Sequence, residues 1–212
     1  MANIKQVLRF LGAAALISLS AYGQAAVITF DDIQGGIGYS SPNPVSNQYA
    51  ALGVTFSDLA GTVGAVTGAS LNLSGFSGNN VLFATQHQSN DSGDLRINFL
   101  SGTNSVAFDA FLSASYYLSA FAYASNGSLI NSYTFNGSPN YGVGFHNSIS
   151  TGTSISYLLL TSHPNGTPNN YGNFSIDNLN VSAVPEPETY AMLLAGLGVI
   201  AASVKRRKAK QA

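Results

Sequence analysis

The chain contains no cysteine. Cysteine nucleophiles, iron–sulfur clusters and cysteine zinc sites are therefore excluded, and no disulfide can staple the fold. A body of about 160 residues buries enough apolar surface to fold without staples, so the absence is compatible with export. Charge is also scarce and unevenly placed. Between Ala26 and Val184 there is no lysine and no glutamate, and Arg96 is the single basic residue. Seven aspartates against that one arginine leave the stretch at −6, which a whole-chain net charge of −1 conceals. Binding of nucleic acid rests on Lys and Arg at the phosphates, so nucleic acid is not an expected partner. Weak attraction of cations is the more natural expectation.

Hydrolytic motifs are missing as well. No Gly-x-Ser-x-Gly elbow occurs; Gly75-Phe76-Ser77-Gly78 is one residue short of it. There is no His-Glu-x-x-His and no EF-hand loop. His87, His146 and His163 stand isolated in sequence and read as ordinary strand-end or loop histidines. Glycoside hydrolysis needs two placed carboxylates. Only aspartate is on offer here, and Asp91 and Asp94 in "SNDSGDL" read as a turn followed by a strand start. The expectation is a protein that is not an enzyme.

The ends of the chain carry its basic residues. Lys5 and Arg9 precede an apolar stretch of about ten residues, 10–19, and Gly23 and Ala25 then occupy the −3 and −1 positions of a cleavage site. This is the layout of a secretory signal peptide over residues 1–25. Ten helical residues rise only about 15 Å, too little to span a bilayer core of about 30 Å. At the other end, residues 190–204 carry no charge and would give about 22 Å of helix. Flanking Lys and Arg side chains can extend that span by snorkelling. Lys205, Arg206, Arg207, Lys208 and Lys210 follow and should remain cytoplasmic. Residues 190–204 are thus expected to cross the inner membrane.

Pro185-Glu186-Pro187, the apolar stretch and the terminal basic cluster together resemble the PEP-CTERM sorting signal of Gram-negative bacteria. The resemblance covers residues 184–210. It implies recognition by an exosortase, a membrane-embedded protease, with Pro185, Glu186 and Pro187 as the sorting motif. It also implies a place at the cell surface or in an exopolysaccharide matrix. It does not describe the body, because the same tag is attached to many unrelated domains.

The body, residues 26–184, reads as all-β. Apolar and polar residues alternate in "VITFDD" from Val27, "GVTFSD" from Gly53, "DLRINF" from Asp94 and "SVAFDAF" from Ser105, the mark of half-buried strands. Asn126-Gly127 between two β-rich runs predicts a hairpin with a type I′ turn. The run 116–124 is apolar on both faces and is placed centrally. Further strands are expected at 81–85, 143–146, 154–161 and 174–181. Around ten strands at this spacing point to a jelly-roll-like β-sandwich, followed by a sorting segment at 185–212. "ITFDD", "LGVTFS" and "FSIDNLNV" also resemble the exported β-sandwich bodies found in PEP-CTERM proteins, which implies a fold like that of a carbohydrate-binding module.

One constellation in the body invites chemistry. In "FSIDNLNV", Phe174 and Ile176 share one parity while Leu179 and Val181 take the other, so a bulge is required at Asp177-Asn178. First and last strands of a jelly roll often lie side by side, which would bring Asp177 to Asp31 and Asp32. Three such carboxylates suit Ca²⁺, which takes six to eight oxygens; their competing role is strand capping. Tyr39, Tyr49, Tyr141 and Tyr171 fall in turn-rich stretches, where exposed rings would stack on sugars; their competing role is packing under the loops. The leading expectation is a non-enzymatic surface module contacting extracellular polysaccharide. A self-associating matrix protein is the second reading, and a glycan-active hydrolase or lyase the third.

Overall fold

A computed structural model of the chain describes residues 26–37, 41–58, 63–67, 73–84, 95–112, 116–137, 143–164, 174–183 and 196–197. Ala25–Ala183 forms one compact unit, and Met1–Gln24 with Val184–Ala212 forms another. Of the second unit only residues 196 and 197, both helical, are described. The signal-peptide stretch, the sorting residues Pro185, Glu186 and Pro187, and most of 190–204 lie outside the described residues. Among those that are described, no helix is long and apolar enough to cross a membrane.

The described residues of the body form ten strands: β1 (Ala26–Ile28), β2 (Asn43–Pro44), β3 (Val54–Asp58), β4 (Val63–Thr67), β5 (Asn80–Ala84), β6 (Leu95–Phe111), β7 (Tyr116–Tyr123), β8 (Leu129–Asn136), β9 (Phe145–Pro164) and β10 (Phe174–Ala183). They join in one sheet in the order β2-β4-β5-β10-β6-β9-β7-β8, with β1 added to β10 and β3 to β6. All these pairings are antiparallel.

Two long strands divide the sheet into arms. Residues 95–98 of β6 lie between β3 and residues 157–160 of β9. Residues 105–110 lie instead between β10 and residues 145–150 of β9. The register shifts between these halves, around Thr103. The side chain of Thr103 mends the break: its one hydroxyl proton has the Ser182 carbonyl at 2.5 Å and the Ser105 carbonyl at 2.9 Å as acceptors, and its Oγ1 accepts from the Ser105 N–H (3.2 Å). Gly102 takes a φ of 71° there, and a Cβ on it would lie 2.2 Å from Ser154 Oγ. "DLRINF" and "SVAFDAF", expected as two strands, are therefore one strand with a kink. The expected strands 143–146 and 154–161 are likewise parts of a single β9.

The first arm contains β3, β7, β8 and the adjoining halves of β6 and β9. The second contains β1, β2, β4, β5, β10 and the other halves. Alternate residues of both arms enter one core, from Val54, Phe56, Leu95, Ile97, Leu118, Ala120 and Leu158 in the first to Ile28, Phe108, Ile149, Phe174 and Leu179 in the second. Phe30 meets Phe56, and Phe108 meets Phe135, in edge-to-face contacts at 5.7 and 6.4 Å between ring centres. The sheet is thus sandwich-like. Burying each such side chain contributes about 1.5–3 kcal/mol.

The hairpin after β7 differs from expectation. Gly127 has φ 79°, but Asn126 does not share it, so the turn is not type I′. Ala124 accepts from the Gly127 N–H (3.0 Å) and donates to Ser128 O (2.9 Å), giving a three-residue loop with a bulge at glycine. Asn126 Oδ1 is engaged instead by the N–H and hydroxyl of Ser128, at 3.0 and 2.7 Å. The expected bulge in β10 is present. Asp177 pairs with Asp109 and Asn180 with Ala107, so β10 carries one extra residue, and Asn178 has φ 50°. Phe174, Ile176, Leu179 and Val181 consequently all reach the core.

Candidate binding face

Strands β1 and β10 are neighbours, as expected, with Ala26 opposite Val181 and Ile28 opposite Leu179. The chain leaves β1 through Phe30, itself at φ 60°, and delivers Asp31 to the loop before β5. Asp31 Oδ1 accepts from the N–H groups of Asn79 (2.6 Å) and Asn80 (2.9 Å). A Cβ on Gly78 would lie 1.9 Å from Asp31 Oδ2, so only glycine allows this approach. Asp177, fully buried, accepts from the Ser77 N–H (2.7 Å) and hydroxyl (2.8 Å) through Oδ2 and from the Asn178 N–H (2.7 Å) through Oδ1. Burial is the main cause that holds its carboxyl above the ordinary aspartate range; the Ser77 and Asn178 donors oppose it, and the Asp31 charge adds to it.

Asp31 and Asp177 thus grip one loop from two strands, while Asp32 turns elsewhere. Its Oδ1 accepts from the Tyr49 hydroxyl at 2.5 Å. Among the described residues no three His, Asp or Glu side chains group as a metal set. Protein donors hold both oxygens of Asp177 and one oxygen each of Asp31 and Asp32, which is the capping role that competes with calcium for these three carboxylates. Ser77, from the near-miss Gly-x-Ser motif, is one of these clamps. Tyr49 takes the packed alternative, beneath its loop. It is buried, lies edge-to-face against Phe30 and Phe56, and has its hydroxyl held well above its ordinary pKa by burial first and by Asp32 second. Tyr39, Tyr141, Tyr171, His87, Asp91 and Asp94 lie outside the described residues.

The outward side chains of the first arm form a surface that the turn-rich stretches did not advertise. Pairing sets Tyr123 opposite Tyr157, Phe121 opposite Leu159, Ser119 opposite Thr161 and Tyr117 opposite His163. Tyr123 and Tyr157 stack at 4.7 Å between centres and 11° between planes. Arg96, on the far side of Tyr157, places its guanidinium carbon 3.8 Å from that ring's centre. Its Nε donates to Asn98 Oδ1 at 2.7 Å. Three groups from β6, β9 and β7 therefore stand as one stack. Both faces of Tyr157 are taken, so it presents its edge and hydroxyl. Tyr117 and His163 stack at 5.4 Å at the other end, and the hydroxyl of Thr161 lies 3.2 Å from His163 Nε2. All the large residues of this face are half-buried.

The second arm turns outward His146, Ser148 and Ser150 from β9, Ser105, Ala107 and Asp109 from β6, and Asn180 and Ser182 from β10. Asp109 is shared between His146 Nδ1 (2.9 Å) and Asn178 Nδ2 (2.8 Å). On the same side Phe83 of β5 and Phe111 of β6 are buried with Val81 in a second apolar cluster, against which Leu73 and Phe76 pack, so the exposed part of this face along β9 is His146 and small hydroxyls.

Residues 183–208 match the PEP-CTERM protein-sorting motif. The chain carries a PEP-CTERM sorting signal. No curated protein matches the chain in sequence. Among solved structures, a family 29 carbohydrate-binding module is 13% identical, with a TM-score of 0.43 over 76% of this chain and 88% of that one. Mutants of such a module complexed with cellulohexaose and with mannohexaose are each 14% identical, with TM-scores of 0.44 and 0.42. They cover 77% and 76% of this chain, and 93% and 92% of their own. Likeness at these TM-scores carries neither a chain path nor a ligand across to the PEP-CTERM-tagged body.

Proposed function

We propose that this protein is an exported surface module that binds extracellular polysaccharide through the outer face of its first arm. In this reading residues 1–25 direct export and are removed. Residues 26–184 form a jelly-roll-like body. Residues 190–204 hold the chain in the inner membrane until an exosortase recognises Pro185, Glu186 and Pro187 within the sorting segment 185–212. The body binds and does not turn its ligand over. Asp31 and Asp177 act as hydrogen-bond hubs of the fold.

The observation that carries the binding reading is the stack of Arg96, Tyr157 and Tyr123 on an outer face. The inner residues of the same strands, Leu118, Ala120, Ala122, Leu158 and Leu160, already fill the core, so folding does not call for rings outside. Aromatic rings with polar tips, flanked by the half-buried Asn98 and Arg96, offer both apolar surface and hydrogen bonds to a sugar chain. Affinity electrophoresis through gels containing hydroxyethyl cellulose, mannan or xylan tests this. Retardation by at least one polymer is expected, and migration unaffected by all three contradicts the reading for those sugar classes. Changing Pro185-Glu186-Pro187 to three alanines should leave the C-terminal segment uncleaved, as read by mass spectrometry. An identical mature C-terminus in both proteins would remove the motif from the processing step.

A further inference from the structure

We infer that β8 is a self-pairing edge, through which two copies of this chain join their first arms into one continuous sheet. β8 pairs with β7 on one side only, from Asn136 opposite Tyr117 to Leu129 opposite Tyr123. Among the described residues no strand meets its other side. The Ser132 N–H bonds to the Asn131 side chain at 2.9 Å, a local substitute for a missing strand. Other edges among the described residues are short or covered: β1, which pairs with β10 alone, has three residues. β2 has two residues and contains Pro44. The free side of β3 is satisfied by the preceding loop, with Val54 N–H on Tyr49 O (3.2 Å) and Phe56 N–H on Ser46 O (2.8 Å).

Natural sheets blunt a long edge with lysine, proline, a bulge or a short strand, because unpaired backbone groups recruit another strand. β8 has eight residues, "LINSYTFN", with no charge, proline or glycine, and its register against β7 shifts only at its start, between Leu129 and Asn131. Leu129 is 53% exposed, and Asn131, Ser132, Thr134 and Asn136 are exposed. The occupant that fits is a second copy. Antiparallel pairing about a twofold axis uses the same patch on both partners. It sets the outward Ser132, Thr134 and Asn136 against their own kind, where hydroxyl pairs are favourable and no like charges meet. A single such contact consumes the edge, so assembly stops at two. The pair would place two Arg96–Tyr157–Tyr123 stacks on one surface, and a polymer engaging both would gain by effective concentration.

Sedimentation of the exported protein from about 1 to 300 μM should show a monomer–dimer equilibrium without larger species. Ser132→Lys with Thr134→Lys should weaken the dimer at least tenfold, whereas Ser148→Lys with Ser150→Lys on the other arm should not. The chain lacks cysteine, so Ser132→Cys and Thr134→Cys each supply one thiol for a short bis-maleimide and keep the test independent of the lysine variants. Cross-linked homodimer is expected from both, and not from Ser148→Cys. A monomer throughout the range, a lysine variant that dimerises like the parent, cross-links only to a different protein, or slow exchange in the monomer of the β8 amides that point away from β7 would each overturn the inference.

Discussion

The two arms of the sheet share their long strands and one core, yet their outer faces are built differently. Along β9 the outward residues are His146, Ser148 and Ser150 on the second arm, then Tyr157, Leu159, Thr161 and His163 on the first. The same chain, within one strand, passes from small hydroxyls to rings. The serines are exposed and the rings half-buried, yet both sets point away from the shared core, so packing of that core does not account for the change. A face of serines is what folding alone leaves on a sheet with a solvated side. Half-buried tyrosines stacked with the body's one arginine mark a surface that does something besides covering the core.

Removing rings from the core and from the outer face should separate these roles most widely. Phe108→Ala, inside the shared core, should cost about 3–5 kcal/mol in urea unfolding. Phe121→Ala, outside, should cost clearly less, because its site remains open to water. Equal losses would mean that the outer face is ordinary core.

The acidic clamp on the second arm should come next. Asp177→Ala leaves the Ser77 and Asn178 N–H groups without their acceptor, at about 1–3 kcal/mol. The parent should melt identically in EDTA and in Ca²⁺; a calcium-dependent melting temperature would favour the metal reading for Asp31, Asp32 and Asp177. The pH response of the clamp follows from its direction of shift. Asp177 holds its proton in the folded state above the ordinary value of 3.8. As pH rises from that value through the folded one, the unfolded chain is the state that has already lost the proton, so this group's contribution to stability falls. Asp177→Asn should remove that part of the slope in denaturation curves taken across the window, and an unchanged slope would assign it elsewhere.

Arg96→Gln should have the smallest effect on folding, about 0.5–1 kcal/mol, because a half-exposed cation over a ring contributes little more. A markedly larger loss would make the stack a structural element of the first arm.

Much of this contrast lies in residues whose pattern is local. Alternation alone located Ile28, Val54, Phe56, Leu95, Ile97 and Phe108 on the inner side, and the parity change around Asp177 required the bulge that Asn178 makes. Long-range features were less legible. Gly102 and Gly152 look like turns because glycine breaks a pattern, whereas each lies within a strand that bends between arms. β4 was missed, since "VGAVT" carries too few large residues to alternate. The run 116–124 was read as apolar on both faces and therefore central. One of those faces is the aromatic surface, and alternation cannot tell a second buried face from an exposed one lined with rings. Tyr49 shows the opposite limit: a turn-rich neighbourhood admits both an exposed ring and one packed under the loop, and the Ala50–Leu52 turn folds its ring into the core beside Phe30.

The most direct test compares the two faces for polysaccharide binding. The exported protein, Tyr123→Ser with Tyr157→Ser, and Ser105→Ala with Ser148→Ala would be run side by side in the hydroxyethyl cellulose, mannan and xylan gels. Binding by the parent, a loss of at least tenfold for the tyrosine pair and none for the serine pair is the predicted result. A tyrosine variant that folds and binds like the parent, or a serine variant that alone loses binding, would place the ligand somewhere other than the first arm.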